Sequence, residues 1–221
     1  MRPHIIVISL VLMLLTVGII LFLVATYAPP AGAVGPEDGA GSITPMPADA
    51  GENPYADFAV PEFELTDRDG NTITHAALDG HYTVLDFFFT SCPLWCPGMS
   101  QAMARVQNET KGTKARLMSI SIDGDLDTPQ IIDQYATRYG ADPTRWAFAT
   151  GDPRLVASIV KDGLKFEIGD VGVDPDSGGR AINHPTRLIL LGPDRHVIGL
   201  YRYDDTDEVD ALIAKVKQLA G

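Results

Sequence analysis

From Tyr82 to Phe89 the chain is almost continuously apolar, the pattern of a strand covered on both faces within a mainly parallel sheet. Before it, Phe63-Glu64-Leu65-Thr66 alternates, and after the Gly-containing stretch Asp67 to Asn71 comes Thr72-Ile73-Thr74. This predicts an N-terminal hairpin. Pro97 suits the first turn of a helix that runs to about Asn108. A second strand is expected over Ala115 to Ile122. Thr128-Pro129 then supplies an N-cap and a proline at N1 for a helix ending near Gly140. Trp146 to Ala149 reads as a short strand, and Asp152-Pro153 starts a helix that stops at Gly163.

A polar, Gly-rich loop is expected from Ile168 to Asn183. Thr186 to Leu191 and Val197 to Tyr203 form a hairpin around Gly192-Pro193-Asp194-Arg195. Asp205 with Glu208 has the spacing of a capping box for a last helix to Ala220. The order β-β-β-α-β-α-β-α-β-β-α is that of an α/β domain with an antiparallel hairpin closing one edge of its sheet. There is no internal repeat and no heptad run.

The N-terminus follows a different rule. Ile5 to Ala25 carries no charge over 21 residues, and at about 1.5 Å per residue such a helix spans roughly 32 Å, enough to cross a hydrocarbon core. A cleavable signal peptide has an apolar region of only about 7–15 residues. Ala31-Gly32-Ala33 has the small residues of a cleavage site, but an uncleaved anchor fits the length better. Arg2 lies on the short side and the next basic residue is Arg68, so the rest of the chain is expected outside the cytoplasm, in a bacterium on the periplasmic side of the inner membrane. Residues 1–27 are therefore expected to be a membrane anchor, 28–54 an Ala/Gly/Pro-rich tether, and 55–221 the folded domain.

Charge narrows the choice of partners. The whole chain has a net charge of -12; residues 1–54 hold one of the 17 basic and four of the 29 acidic residues, which leaves the domain at -9. Such a surface repels nucleic acid and anionic lipid headgroups.

Both cysteines of the chain, Cys92 and Cys96, lie in Thr90-Ser91-Cys92-Pro93-Leu94-Trp95-Cys96-Pro97, between the apolar strand and the helix. Their C-x3-C spacing is one residue longer than the C-x2-C of common thioredoxin-like redox enzymes, which favours metal over redox chemistry. A helix N-terminus favours thiolate, the form that binds metal and attacks disulfides. Two thiolates suit Cu(I), and one neutral imidazole would complete a three-coordinate site. Zinc would want a fourth ligand, and the chain offers no further cysteine. A structural disulfide, or two packed thiols, is the plain alternative. Four histidines lie beyond the apolar segment, namely His75, His81, His184 and His196. His184 stands at the end of the Gly-rich loop, just before a strand, although a loop histidine taken alone is more often ordinary surface.

In order, Phe89 to Pro97, then Ser119-Ile120-Ser121-Ile122-Asp123 with Asp127-Thr128-Pro129, then Asn183-His184 opening a Leu-rich strand before Gly192-Pro193-Asp194, the chain resembles the Sco/SenC family. These are membrane-tethered, thioredoxin-fold proteins of cytochrome c oxidase assembly. The resemblance covers about Phe58 to Ala220. It implies a thioredoxin-like α/β domain in which Cys92, Cys96 and His184 hold one copper ion. That ion would be passed to the copper-receiving subunit of the oxidase. Family members are also linked to reduction of that subunit's cysteines. The alternative is therefore an extracytoplasmic thiol–disulfide oxidoreductase with Cys92 and Cys96 as its catalytic pair.

The chain departs from the family pattern at Leu94, where members usually carry an acidic residue, and at Asn183-His184-Pro185, where they tend to have Asp-His-Ser. Pro185-Thr186 before a strand is instead similar to the cis-proline element of thioredoxin-like reductases. Asp123-x-Asp125-x-Asp127 has the start of a calcium loop, but Thr128 and Gln134 replace its glycine and glutamate, and helix capping is the expected role. Met99 and Met103 could be auxiliary soft ligands and are expected in the core. Trp95 would face a partner or cover the site. Thr90 near Cys92-Pro93 gives some support to a thiol peroxidase, but a peroxidatic cysteine would normally sit one residue further from it.

Overall fold

The computed structural model describes residues 53–93, 95–173 and 180–221. The expected anchor, nearly all of the tether and Leu94 lie outside the described residues. Among the described residues, no helix is long and apolar enough to cross a membrane.

The N-terminal hairpin forms where alternation places it. β1 (Glu64–Asp67) pairs antiparallel with β2 (Thr72–Thr74), and Asp67 Oδ1 accepts the amides of Asp69 and Asn71 across the turn. Gly70 occupies this turn at φ +84°, a conformation open to glycine at little cost. The apolar run folds as β3 (Thr83–Phe88), with all six side chains buried. It pairs parallel with β4 (Arg116–Ser121), and β4 pairs parallel with β5 (Trp146–Thr150). The helix between β3 and β4, α1 (Cys96–Glu109), begins one residue earlier than expected, at the second cysteine.

Helix α2 (Pro129–Arg138) starts behind Thr128 as predicted, yet the Thr128 side chain makes no capping bond. Helix α3 (Pro153–Ser158) is capped by Asp152, which accepts from the Arg154 amide, and the expected stop at Gly163 is reached through a π-turn over Ile159–Gly163. The stretch read as a Gly-rich loop holds a small separate sheet, β6 (Gly169–Val173) against β7 (Arg180–Asn183). Its glycines and a register shift between Asp170 and Gly172 hide the two-residue period that marks a strand. β8 (Arg187–Leu191) and β9 (Val197–Arg202) form the predicted hairpin, and β8 pairs antiparallel with β3. The last helix, α4 (Thr206–Ala220), has Asp205 accepting the amides of Asp207 and Glu208. The reciprocal half of the capping box is absent, because Glu208 Oε2 instead accepts the Arg202 amide at 2.5 Å.

The seven-stranded sheet has the order β2-β1-β5-β4-β3-β8-β9 and is flanked by the helices. Its centre is filled by Phe87, Phe88, Leu117, Ile120, Trp146 and Phe148, each at most 1% exposed. Because β3, β4 and β5 run parallel, the loops after them emerge at one edge, where open α/β sheets build their sites. Two of these loops touch at glycines: a Cβ on Gly124 would lie 1.7 Å from the Gly151 carbonyl oxygen. Gly124→Ala must therefore push backbone against backbone, and it is expected to destabilise the domain by about 3 kcal/mol. Urea unfolding measures this; an unchanged midpoint would show that the loops yield freely.

Candidate metal centre

The loop between β3 and α1 carries Cys92, and the first residue of α1 is Cys96. A tight turn precedes the first cysteine, whose amide donates to the Phe89 carbonyl at 3.2 Å. Entry into the helix then turns the Cys96 amide toward Cys92 Sγ, at 3.5 Å. The two cysteines are not joined in a disulfide. From the far side, the residues between β7 and β8 deliver His184, whose Nε2 lies 3.7 Å from Cys96 Sγ. One ligand atom from each of Cys92, Cys96 and His184 lies within 4.8 Å of the other two.

All three side chains are buried: Cys96 is 0% exposed, His184 5% and Cys92 8%. Of the two sulfurs, Cys92 is the less buried. His184 Nδ1 lies 3.0 Å from the Pro185 carbonyl. That oxygen can only accept, so Nδ1 donates this bond and Nε2 is the ring nitrogen that faces the sulfur. The edge-to-face packing of the Phe89 ring on the imidazole, 5.8 Å between centroids, fixes the plane of the ring. Pro185 follows a trans peptide, as do all described residues. The likeness to a cis-proline element therefore ends at the sequence, and His184 reaches the thiols without it.

The electrostatics correct one expectation. A helix N-terminus was expected to favour thiolate at both cysteines. At Cys96, burial pushes the thiol far above its ordinary range, and the neighbouring Cys92 reinforces the shift. Desolvation disfavours a bare charge more than the half-charge of the helix end relieves it. A buried sulfur of this kind gains most when a cation replaces its proton. Two sulfurs and one imidazole, with no carboxylate among the donors, match a soft monovalent ion better than a hard divalent one.

Among the described residues the other histidines stand apart from this group. His75 packs edge-on against Phe63, and exposed His196 pairs with Asp194. Met99 and Met103 are fully buried core residues, as expected, and Trp95 is one of three exposed large apolar side chains among the described residues.

Two buried carboxylates, Asp86 and Asp127, have partners that the residue pattern does not reveal. Asp86 was read only as part of an apolar strand. It is fully buried, it accepts the Ser119 hydroxyl, and Ser119 Oγ in turn accepts Trp146 Nε1–H at 2.9 Å. Burial raises the Asp86 carboxyl to about 7, while the Ser119 hydrogen bond and then His184 pull the other way. A lone carboxylate inside a continuous apolar run was the available signal. Asp127 was expected to cap a helix or, less well, to bind calcium. Its carboxylate instead accepts the Thr90 amide at 3.0 Å, the Thr90 hydroxyl at 2.5 Å and the Ser121 hydroxyl at 2.5 Å. All three donors are neutral protein groups, and two of them belong to the loop that carries Cys92.

Comparison with known proteins agrees with this geometry. The chain is 28% identical over 162 residues to the SCO1 protein homolog of Bacillus subtilis (strain 168), a match covering 72% of this chain and 82% of that protein. It is similar to the solved structure of BsSco, a member of the Sco family of cytochrome c oxidase assembly proteins in which a disulfide switch is identified. That likeness has 26% identity and a TM-score of 0.62, over 73% of this chain and 92% of the other. Copper-bound ScoI of Bradyrhizobium japonicum shares the fold at 23% identity and a TM-score of 0.60, over 72% of this chain and 99% of the other. The SCO1/SenC family model matches residues 52–221, and the chain belongs to that family.

Proposed function

We propose that this chain is a copper carrier in which Cys92, Cys96 and His184 hold a single ion, taken up as Cu(I). The observation that carries the reading is the convergence of an imidazole and a thiol 88 residues apart in sequence to 3.7 Å, beside a second thiol. In the metal-free chain the Cys96 thiol can share its proton with Nε2, and Cu(I) would take that proton's place between the same two atoms. The description of BsSco as a cytochrome c oxidase assembly protein, and of ScoI as copper-bound, supports the same role here. The receiving partner is the copper-binding subunit of cytochrome c oxidase. Copper leaves by ligand exchange, each incoming thiolate replacing one of this chain's donors, starting from the less buried Cys92.

In this reading residues 1–27 hold the protein in the inner membrane. Residues 28–54 give it reach, and 55–221 work on the extracytoplasmic side, where the partner's copper site is assembled. A second reading has one observation in its favour: the Cys96 amide points at Cys92 Sγ, an arrangement that also suits closure of a disulfide between the two.

Titration of the reduced chain with Cu(I) against a competing chelator separates the two readings. A carrier takes up one equivalent. An oxidoreductase competes poorly for the ion, yet reduces a disulfide substrate at a rate abolished by Cys92→Ser.

A further inference from the structure

The β4–α2 loop folds back on itself. The amides of Leu126 and Asp127 both donate to the Asp123 carbonyl, at 2.9 and 2.8 Å, and the Asp123 amide donates to Ser121 Oγ at 3.1 Å. The turn drives the Asp127 carboxylate inward, to 1% exposure, against the end of β4 and under the neighbouring loop. There each carboxylate oxygen takes a Thr90 donor: Oδ2 the amide and Oδ1 the hydroxyl, with Ser121 adding a second bond to Oδ2. Thr90 stands two residues before Cys92, immediately after the Phe89 carbonyl that accepts the Cys92 amide. The carboxylate therefore grips both the backbone and the side chain of the residue that opens the cysteine turn.

We infer that Asp127 and Thr90 form a clamp that positions Cys92 for metal. Two bonds to one residue fix its peptide plane as well as its side chain, whereas a single bond would leave the plane free to rotate. Cys92 sits in a short turn with no regular structure of its own, its sulfur facing the Cys96 amide at 3.5 Å, while Cys96 is set by a helix and His184 by its bonded ring. A brace on Thr90 therefore acts on the one donor that lies in an irregular turn. A donor held in place before the ion arrives loses less freedom on binding, and this is how outer partners raise metal affinity. Asp127 is not one of the three donors and acts through its bonds to Thr90, so it is a positioning residue. The clamp rests on the copper-carrier reading for its metal readout and on geometry alone for its second readout.

The test uses the full chain, reduced, in three variants: Thr90→Val, which keeps shape and amide but removes the hydroxyl; Thr90→Ser, which restores it; and Asp127→Asn. Cu(I) affinity is measured by chelator competition. In parallel, without metal, a bis-alkylating reagent that bridges two nearby thiols reports how often Cys92 and Cys96 are held at bridging distance. Thr90→Val and Asp127→Asn are each expected to lower Cu(I) affinity by about 10-fold or more and to slow bridging several-fold, while Thr90→Ser stays within about 3-fold of the wild type in both. If Asp127→Asn does not fold, the Thr90 pair decides. Unchanged affinity and unchanged bridging in Thr90→Val overturn the clamp. If the wild type binds no Cu(I) while bridging still slows in Thr90→Val, the carrier reading fails and the clamp stands.

Discussion

Replacing His184 with alanine is expected to lower the Cu(I) affinity of the reduced chain by at least about 100-fold. Loss of an outer partner alone typically costs 10–100-fold, and loss of a ligand costs more. A factor of 100 corresponds to about 2.7 kcal/mol. The imidazole is committed to the site before any ion arrives: Nδ1 is held by the Pro185 carbonyl, the ring is packed by Phe89, and Nε2 faces Cys96 Sγ at 3.7 Å. Once it is gone, two sulfurs remain without a third donor, because the described residues offer no other histidine, cysteine or carboxylate in the group. His196→Ala is the matched control. That ring pairs with Asp194 at an exposed turn, and its removal is expected to leave affinity unchanged. Equal effects of the two substitutions, read by chelator competition, would remove His184 from the site.

The second large effect concerns pH and stability. Asp86 is expected to keep its proton up to about pH 7 in the folded protein, whereas an unfolded aspartate releases it near 3.9. Below that lower value both states are protonated and the group is neutral to folding. Between the two values the folded state binds more protons than the unfolded one, so the stability this group allows falls as pH rises and levels off above about pH 7. At 1.36 kcal/mol per unit, the ceiling on this loss is about 4 kcal/mol. Asp86→Asn removes the titration. Its amide still offers Ser119 an acceptor but brings a buried N–H donor, a cost of about 1–3 kcal/mol at every pH. The difference in unfolding free energy between variant and wild type is thus expected to shift in the variant's favour between pH 4 and pH 8. Urea midpoints across that range measure it, and parallel curves would mean that the Asp86 carboxyl is ionised in the fold like any other.

Much of this was legible from residue order. The β3 run, the Pro97 and Pro129 helix starts and the closing hairpin are short-range signals, written in periodicity and in residues with fixed backbone demands. The site was legible in part. Cys92 and Cys96 announce themselves by being the chain's only thiols, four positions apart at a strand-to-helix turn. His184 does not: nothing local distinguishes it from His75 or His196, and only the ordered motif set pointed to it. What brings it to the sulfurs is the antiparallel pairing of β8 with β3, a contact made across a hundred residues of sequence and invisible to any window. The same limit hid Asp127, whose partner Thr90 lies 37 residues away. It also hid the β6–β7 sheet, whose glycines carry no alternation. Burial, too, overruled a local rule, since the helix end that favours thiolate cannot offset the desolvation of Cys96.

X-ray absorption at the copper edge of the loaded, full-length chain tests three-donor coordination most directly. Two sulfur scatterers and one imidazole nitrogen are expected around one copper per chain, with the nitrogen shell missing from His184→Ala. A sulfur-only shell in the wild type, or an identical spectrum in the variant, would contradict it.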